Sequence, residues 1–263
     1  PVLKHTDDAI YYINLSQDAH ELGGSSFAQI LNKIGKNTPG IQDAASFKKA
    51  FNAVQELINT DKIIAGHDIG SGGLITTLLE MCFADNGLAA DYDLSAIGES
   101  DSVKLLFSEN IGIVFQADAS AEDYLKSQNV EFFKIGKVTS NDSVTIKNGE
   151  FSVSLNVAET RDTWYKTSYL LDKKQSGNVK ALERFTNYKN QPLEYIFPSH
   201  FDGKKPVFDA KNRPKAAILR EKGSNSEREM ANAMYLAGFD VKDIHMTDLI
   251  SGRENLEDIQ FIG

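Results

Sequence analysis

The residues best suited to chemistry lie in the stretch HDIGSGGL, from His67 to Leu74. It follows a short apolar run and precedes a helix-like pattern. Backbone N–H groups and the positive end of the helix dipole therefore face one point there, as in many anion sites. Gly72 and Gly73 would let the backbone approach a ligand, and His67 and Asp68 could bond a phosphate or a hydroxyl. Tight packing of helix on strand explains the same glycines, so both interpretations stay open.

A second loop of small residues, HELGGSSF, lies at a similar junction between a strand and a helix. By itself it is also explained as a helix cap, since a Ser side chain there can accept the first free N–H groups. Two such loops in one chain predict a shared site for a phosphate or nucleotide. The residues predicted for that site are Gly23, Gly24, Ser25, His67, Asp68, Gly72 and Gly73.

Composition argues against several other classes of function. The 263 residues include 28 Lys plus Arg and 37 Asp plus Glu, a formal net charge of −9, whereas a nucleic-acid module is expected to be basic. The single cysteine, Cys82, rules out a disulfide framework within the chain and a multi-cysteine zinc site, and beside Met81 it is expected to be an inert, buried thiol. No apolar run approaches the ~18 residues of a membrane helix. We expect a cytoplasmic protein without nucleic-acid or membrane partners.

The elements that must position the two loops alternate along residues 1–160. Strand patterns cover residues 10–15, 62–66, 111–117 and 132–138, and helix patterns cover 27–34 and a stripe formed by Phe47, Phe51, Val54 and Ile58. Ser26 and Gln29 have the spacing of a capping box. Asn148-Gly149 between two short alternating runs predicts a β-hairpin. Hairpins and crossovers together predict an α+β domain with a mixed sheet and helices.

Residues 161–213 differ in composition from what precedes them. Residues 161–215 hold twelve basic and six acidic side chains, a net charge of +6, while the rest of the chain carries −15. A helix is expected at about 159–171, and the later part, which contains Pro192, Pro198 and Pro206, lacks periodicity. We interpret this part as a basic, proline-containing linker. It is either a solvated connector or a segment docked on the acidic domain, where opposite potentials favour association.

Residues 214–263 have the pattern of a β-α-β unit. A strand at 215–220 precedes the loop EKGSNS, a helix at 227–237 with Ser226 and Glu229 at capping-box spacing, and a strand at 239–245. About 50 residues are too few to bury a core independently. The chain also begins at Pro1 rather than Met and stops just after an apolar run at 259–262. We therefore expect a piece of a longer protein that ends in a truncated α/β unit.

The motifs carry a family resemblance. LGGSSFAQ, followed about forty residues later by HDxxxGGL, resembles the C-terminal domain of the aminoimidazole ribonucleotide (AIR) synthetase superfamily. LLEMCFADNGLAADYDL and LFSENIGIVFQ resemble segments of the second such domain in the large, single-chain phosphoribosylformylglycinamidine synthases. RPKAAILREKGSNSEREMANAMYLAGFDVKDIHMTDLISGR resembles the opening of the class I glutaminase-like domain of the same enzymes. The resemblance extends over nearly the whole chain.

This resemblance implies a ligase of purine biosynthesis. Such a ligase converts formylglycinamide ribonucleotide, glutamine and ATP, with Mg²⁺, into formylglycinamidine ribonucleotide. Its partners would be the missing domains of the same polypeptide, and the chain alone is expected to be inactive. In the glutaminase-like loop, Glu221, Gly223 and Asn225 lie near the position where the family builds its glutamine site. The resemblance assigns no catalytic residue and no metal ligand in this chain.

Two departures from the family pattern bear on the site. Gly70 and Ser71 stand where the family motif has Ser-Asp, and residues 110–113 lack an Arg that many relatives carry. Both departures weaken a complete catalytic site and fit an anion-binding or scaffold role. Two alternatives therefore stay open: a scaffold domain that holds a nucleotide without turnover, and a small-molecule kinase of the same superfamily. The glutaminase-like segment argues against the kinase.

Overall fold

The computed structural model describes residues 2–5, 7–190, 195–201, 203 and 211–263. The chain divides into two compact units, Pro1–Gln191 and Pro192–Gly263. None of the helices in the described ranges combines the length and apolar character needed to cross a bilayer.

A seven-stranded sheet forms the centre of the first unit. Its strands are β1 (Ala9–Asn14), β2 (Ile63–Asp68), β3 (Ala89–Asp93), β4 (Gly112–Ala117), β5 (Phe133–Thr139), β6 (Ser143–Asn148) and β7 (Phe151–Asn156). The spatial order is β2-β4-β1-β5-β3-β6-β7. Neighbouring strands are antiparallel except for β3 and β6, which are parallel. The predicted mixed sheet of an α+β domain is confirmed.

Seven α-helices lie in the described part of this unit. They are α1 (Ser26–Ile30), α2 (Ala44–Asn59), α3 (Gly73–Glu80), α4 (Ser102–Phe107), α5 (Ala119–Ser127), α6 (Val157–Ser176) and α7 (Asn178–Asn187). Because side chains alternate along a strand, Tyr11 of β1 joins the core under α2 and α5, whereas Tyr12 joins the core under α3 and α4.

Two predicted helices differ from those observed. The helix predicted over 27–34 ends at Ile30, and its N-cap is Ser25 rather than Ser26, so the predicted capping box is wrong. In α2 the stripe predicted through Phe51 and Ile58 is also wrong, since both are nearly half exposed while Ala50, Ala53, Val54 and Leu57 are buried. Ala50 and Ala53 are buried and Phe51 is not, so the buried stripe of α2 runs one position away from Phe51.

The predicted hairpin of β6 and β7 is confirmed, but its turn is shifted by one residue. Asn148 pairs with Phe151, so the two-residue turn is Gly149-Glu150, with Gly149 at φ +58°. Asn148 stays in β6 because its side-chain amide donates to Glu99 O at 2.9 Å and to Ser102 Oγ at 3.1 Å.

Residues 157–190 lie in the first compact unit, and the predicted domain boundaries at 160 and 213 stay a prediction. Tyr165 stacks on Tyr188 with ring centroids 4.0 Å apart, and Tyr169 stacks on Phe185 at 4.7 Å, so α6 and α7 form an aromatic hairpin. The expected helix is therefore longer, and a second helix follows it. Residues 191–194, 202 and 204–210 of the predicted linker, with Pro192 and Pro206, lie outside the described residues.

The second unit contains a small parallel sheet. Its elements are β8 (Lys215–Arg220), α8 (Glu227–Leu236), β9 (Asp240–His245), α9 (Met246–Ile250) and β10 (Phe261–Ile262), with strand order β10-β8-β9. The predicted β-α-β pattern is confirmed. The predicted capping box at Ser226 is wrong, because Ser226 adopts φ +67° and makes no side-chain cap bond.

Candidate functional site

The segment that follows α4 joins the two glycine-containing loops. Glu109 Oε1 accepts a hydrogen bond from Ser26 N at 2.8 Å and another from Gly72 N at 2.9 Å. Ser26 is the first residue of α1, and Gly72 is the N-cap of α3. The two loops that the sequence predicts to share an anion site therefore do meet. They meet at a carboxylate of the chain itself.

The surroundings of Glu109 favour its charged form. Burial by itself would raise the pKa of this carboxyl, but the N–H donors of Gly72 and Ser26, together with the Ser26 hydroxyl, outweigh burial and lower the pKa below its ordinary value. A negative charge at the start of α3 also complements the positive end of the helix dipole. The position thus stabilises one anionic group, which Glu109 supplies.

The glycines of the second loop allow this meeting. Gly73 has φ +76°, and a Cβ there would lie 2.8 Å from the backbone of residues 106–108 at the end of α4. Gly72 has φ +94°, and its Cβ would lie 2.3 Å from Thr76 Oγ1. A side chain at Gly73 would push α3 away from α4, whereas one at Gly72 would clash with Thr76 in the first turn of α3 itself. The close contact of the two helices places Gly72 N within reach of Glu109.

The first loop uses its glycines in the same way. Gly23 N donates to Asn37 O at 2.8 Å, and a Cβ on Gly23 would lie 2.2 Å from that oxygen. Gly24, at φ +73°, donates its N–H to Ile34 O at 2.7 Å. Ser25 is 2% exposed; its Oγ accepts from Ala28 N and donates to Leu22 O. Contacts within the chain thus account for these three predicted site residues.

The His67 side chain lies away from this junction. His67 Nε2 is 2.8 Å from Glu80 Oε2, and Trp164 Nε1 donates to Glu80 Oε1 at 2.7 Å. Asp68 is 86% exposed at its side chain and lies 3.4 Å from His67 Nδ1. Gly72 precedes α3 and Glu80 ends it, so the His67 ring bonds at the far end of this eight-residue helix, about 12 Å along its axis. The structure brings the loops together without bringing the His67 ring to Glu109.

Two residues that the sequence interpretation did not assign organise the first loop. Glu109 holds its end, at Ser26. Asn110 holds its start, because its buried Nδ2 lies 3.0 Å from Ser16 Oγ and donates to the carbonyls of Asp18 and Ala19 at 3.1 and 3.2 Å. The available signal was a Glu-Asn pair directly before the buried strand β4. Such a polar pair is a candidate for satisfying backbone groups of neighbouring loops.

The three glutaminase-loop candidates form a local turn in the second unit. Glu221 N donates to Ser224 Oγ at 2.8 Å, and Asn225 Oδ1 accepts from Ser226 N at 2.9 Å. Gly223 has φ +90°, which explains a glycine there. A role of these residues in glutamine binding stays a prediction.

The described ranges contain neither a cluster of metal-ligating side chains nor a reactive thiol. No three His, Cys, Asp or Glu side chains there lie close enough together to hold a metal ion. Cys82 is 2% exposed, and burial raises the pKa of its thiol to about 12. The prediction of a buried, inert thiol is confirmed.

Family models match two parts of the chain. Residues 6–148 match the C-terminal domain of AIR synthase related proteins, and residues 213–263 match the CobB/CobQ-like glutamine amidotransferase domain. The first match covers more than half of the chain.

Similar proteins point the same way. The chain is 34% identical over 270 aligned positions to a probable phosphoribosylformylglycinamidine synthase, chloroplastic/mitochondrial, of Arabidopsis thaliana. That alignment covers 98% of this chain and 19% of the relative, so the chain spans about a fifth of the relative's length. Among solved structures, PurL of Thermotoga maritima complexed with ATP is 14% identical with a TM-score of 0.43, covering 79% of this chain and 30% of that one. PurL complexed with FGAR is 14% identical with a TM-score of 0.44, covering 60% and 28%.

Proposed function

This chain belongs to the family of AIR synthase related proteins, and from that membership we propose that it is part of a glutamine-dependent, ATP-using carbon–nitrogen ligase of the phosphoribosylformylglycinamidine synthase type. The observation that carries the proposal is the alignment of 98% of the chain, at 34% identity, with the Arabidopsis relative. Formylglycinamide ribonucleotide, glutamine and ATP as substrates belong to this proposal, as do further domains of the polypeptide as partners. Cytoplasmic location stays a prediction.

The predicted phosphate site is occupied by the Glu109 carboxylate, which changes its role in this proposal. Any phosphate that bonds Ser26 N and Gly72 N has to replace the Glu109 carboxylate, because that oxygen already accepts both N–H groups. No three His, Cys, Asp or Glu side chains of the described residues converge to hold Mg²⁺. We propose that the two-loop junction supports the fold of the first unit and accepts a phosphate only when Glu109 moves away. No contact in the described residues supports the alternatives of a nucleotide-holding scaffold or a kinase.

A chimeric enzyme tests the proposed function. The aligned segment of the Arabidopsis relative is replaced by this chain, and ATP-dependent formation of formylglycinamidine ribonucleotide is measured with glutamine and with ammonium chloride as nitrogen donors. We expect turnover with both donors. The matched control is the same chimera with Gly73→Ala, which disturbs the contact of α3 and α4.

The two nitrogen donors separate the possible failures. Loss of the glutamine reaction alone would place the fault in the second unit, which matches the amidotransferase domain. A soluble chimera with native-like circular dichroism that turns over neither donor would contradict the proposed function.

A further inference from the structure

A cavity of about 570 Å³ lies at the end of β1, beside the first loop and separate from the groups that hold Glu109. Its polar lining includes Gln17, Asp18, His20, Glu99 and Glu131. None of the residues predicted for the phosphate site lines it. Its size suits a small organic molecule rather than a single ion.

The charge of the lining is negative. Asp18, Glu99 and Glu131 contribute three carboxyl groups, and none of the described residues that line the cavity is a lysine or arginine. Lys104, the cation whose charge acts on His20, is paired with Glu21 at 3.7 Å. An anionic ligand would be repelled by this lining, whereas a cation would be attracted.

The carboxylates are held to different degrees. Asp18 accepts from Ala19 N at 2.8 Å and Gly40 N at 2.7 Å, and Glu99 accepts from Asp101 N at 2.8 Å through one oxygen. Glu131 is exposed and has no hydrogen bond or ion pair within the described part of the chain. Glu131 and the second oxygen of Glu99 are therefore available to a ligand.

His20 provides an independent sign of a ligand. Its side chain lines the cavity although the residue is only 8% exposed, and its Nε2 has no hydrogen-bond partner among the described residues. Burial also lowers the pKa of His20, so the ring is neutral near pH 7 and its Nε2 can accept a proton donor in one tautomer. Buried polar atoms are usually satisfied. Nε2 itself is closed to solvent, so a bound N–H group would satisfy it once the ring turns toward the cavity.

We propose that this cavity binds an organic cation with two or more ammonium groups, of the linear polyamine class, in which Glu99 and Glu131 pair with ammonium groups and His20 Nε2 accepts an N–H. A metal ion is a poorer occupant, because no three potential ligand side chains in the described ranges converge. The half-buried Ile97 and Phe133 line the same cavity and would contact the methylene groups between the charges.

Calorimetric titration of the 263-residue chain with spermidine tests this proposal, with ionic strength held constant by NaCl. We expect saturable binding to one site. The double variant Glu99→Gln, Glu131→Gln should weaken it about five- to tenfold, since it removes two ion pairs. His20→Leu should weaken it as well, by removing the acceptor. The matched control, Asp123→Asn with Glu150→Gln, makes the same change in charge on α5 and the β6–β7 turn and should keep the affinity within twofold.

Three outcomes would overturn the proposal. Equal weakening in the control and the cavity variant would show attraction to the overall negative charge. Absence of saturable heat in the folded chain would show that no site exists. Equimolar displacement of spermidine by MgCl₂ at the same ionic strength would show a metal site instead. Circular dichroism of each variant confirms that the fold is retained before binding is compared.

Discussion

The two N–H groups that meet at Glu109 have no other acceptor in the described part of the chain, so the stability of the junction depends on this one side chain. At helix starts the first N–H groups lack partners within the helix, and an acidic side chain both bonds them and complements the dipole. Glu109 does this for α1 and α3 at once. It therefore couples two loops that are far apart in the sequence.

Replacing Glu109 should lower the stability of the first unit. Glu109→Ala removes the acceptor of two N–H groups, and we expect a loss of about 1–3 kcal/mol in the free energy of unfolding. Glu109→Gln keeps an acceptor oxygen without the charge and should lose about half as much. Urea unfolding followed by the fluorescence of Trp164, the single tryptophan of the chain, measures both. Glu150→Ala, in the exposed β6–β7 turn, is the matched control; an equal effect there would contradict the role of Glu109.

Elements meet at this junction because glycines let them approach. Gly73→Ala places a Cβ 2.8 Å from the backbone at the end of α4 and also disfavours φ +76°, so we expect a loss of about 1–3 kcal/mol. Gly70→Ala is the control within the same loop, since its Cβ meets nothing within 4 Å and its φ is not positive. Urea unfolding should separate the two variants. Equal stabilities would mean that α3 and α4 can move apart without cost.

Helix α6 is anchored by a buried arginine. Arg161 Nη1 donates to Phe83 O at 3.1 Å, and Nη2 pairs with Asp85 Oδ1 at 3.1 Å, beside the contact of Trp164 with Glu80. Arg161→Ala should loosen this end of α6, so the emission of Trp164 shifts to longer wavelength and acrylamide quenches it more strongly. Lys166→Ala, at an exposed position of the same helix, should leave both unchanged. An unchanged spectrum in Arg161→Ala would contradict the anchoring.

Elements with a clear hydrophobic periodicity or clear turn residues could be predicted from the sequence. Elements that depend on tertiary contacts could not. The strand at 215–220 and the hairpin at Gly149 follow from local patterns. The α6–α7 hairpin does not, because its helices are stabilised by ring contacts between residues distant in sequence. The same holds for the candidate site. The meeting of the two loops could be predicted from their motifs, but the role of Glu109 could not, because it lies in a third segment that no local motif links to the loops.

On the scale of the whole molecule, the chain lacks a reactive thiol. Its single cysteine is buried, and burial raises the thiol pKa to about 12, so little thiolate forms near pH 7. We expect no release of ammonia from glutamine by the isolated chain, and no labelling of folded Cys82 by a thiol-specific disulfide reagent. Labelling should become complete in urea, which is the internal control. Ammonia release by the folded chain would contradict this prediction.

The chain spans about a fifth of the Arabidopsis relative's length. Its own contribution is a first unit whose two loops are joined by one carboxylate, and a second unit that matches the amidotransferase domain. The first of these contributions can be examined directly in the 263-residue chain.

The most direct test of this junction is an NMR pH titration of the backbone amides of Ser26 and Gly72. If both donate to Glu109, both resonances should shift with one common midpoint below 4.5, the ordinary pKa of a glutamate, and neither should show this shift in Glu109→Gln. Different midpoints for the two amides, or a titration that persists in Glu109→Gln, would contradict the account.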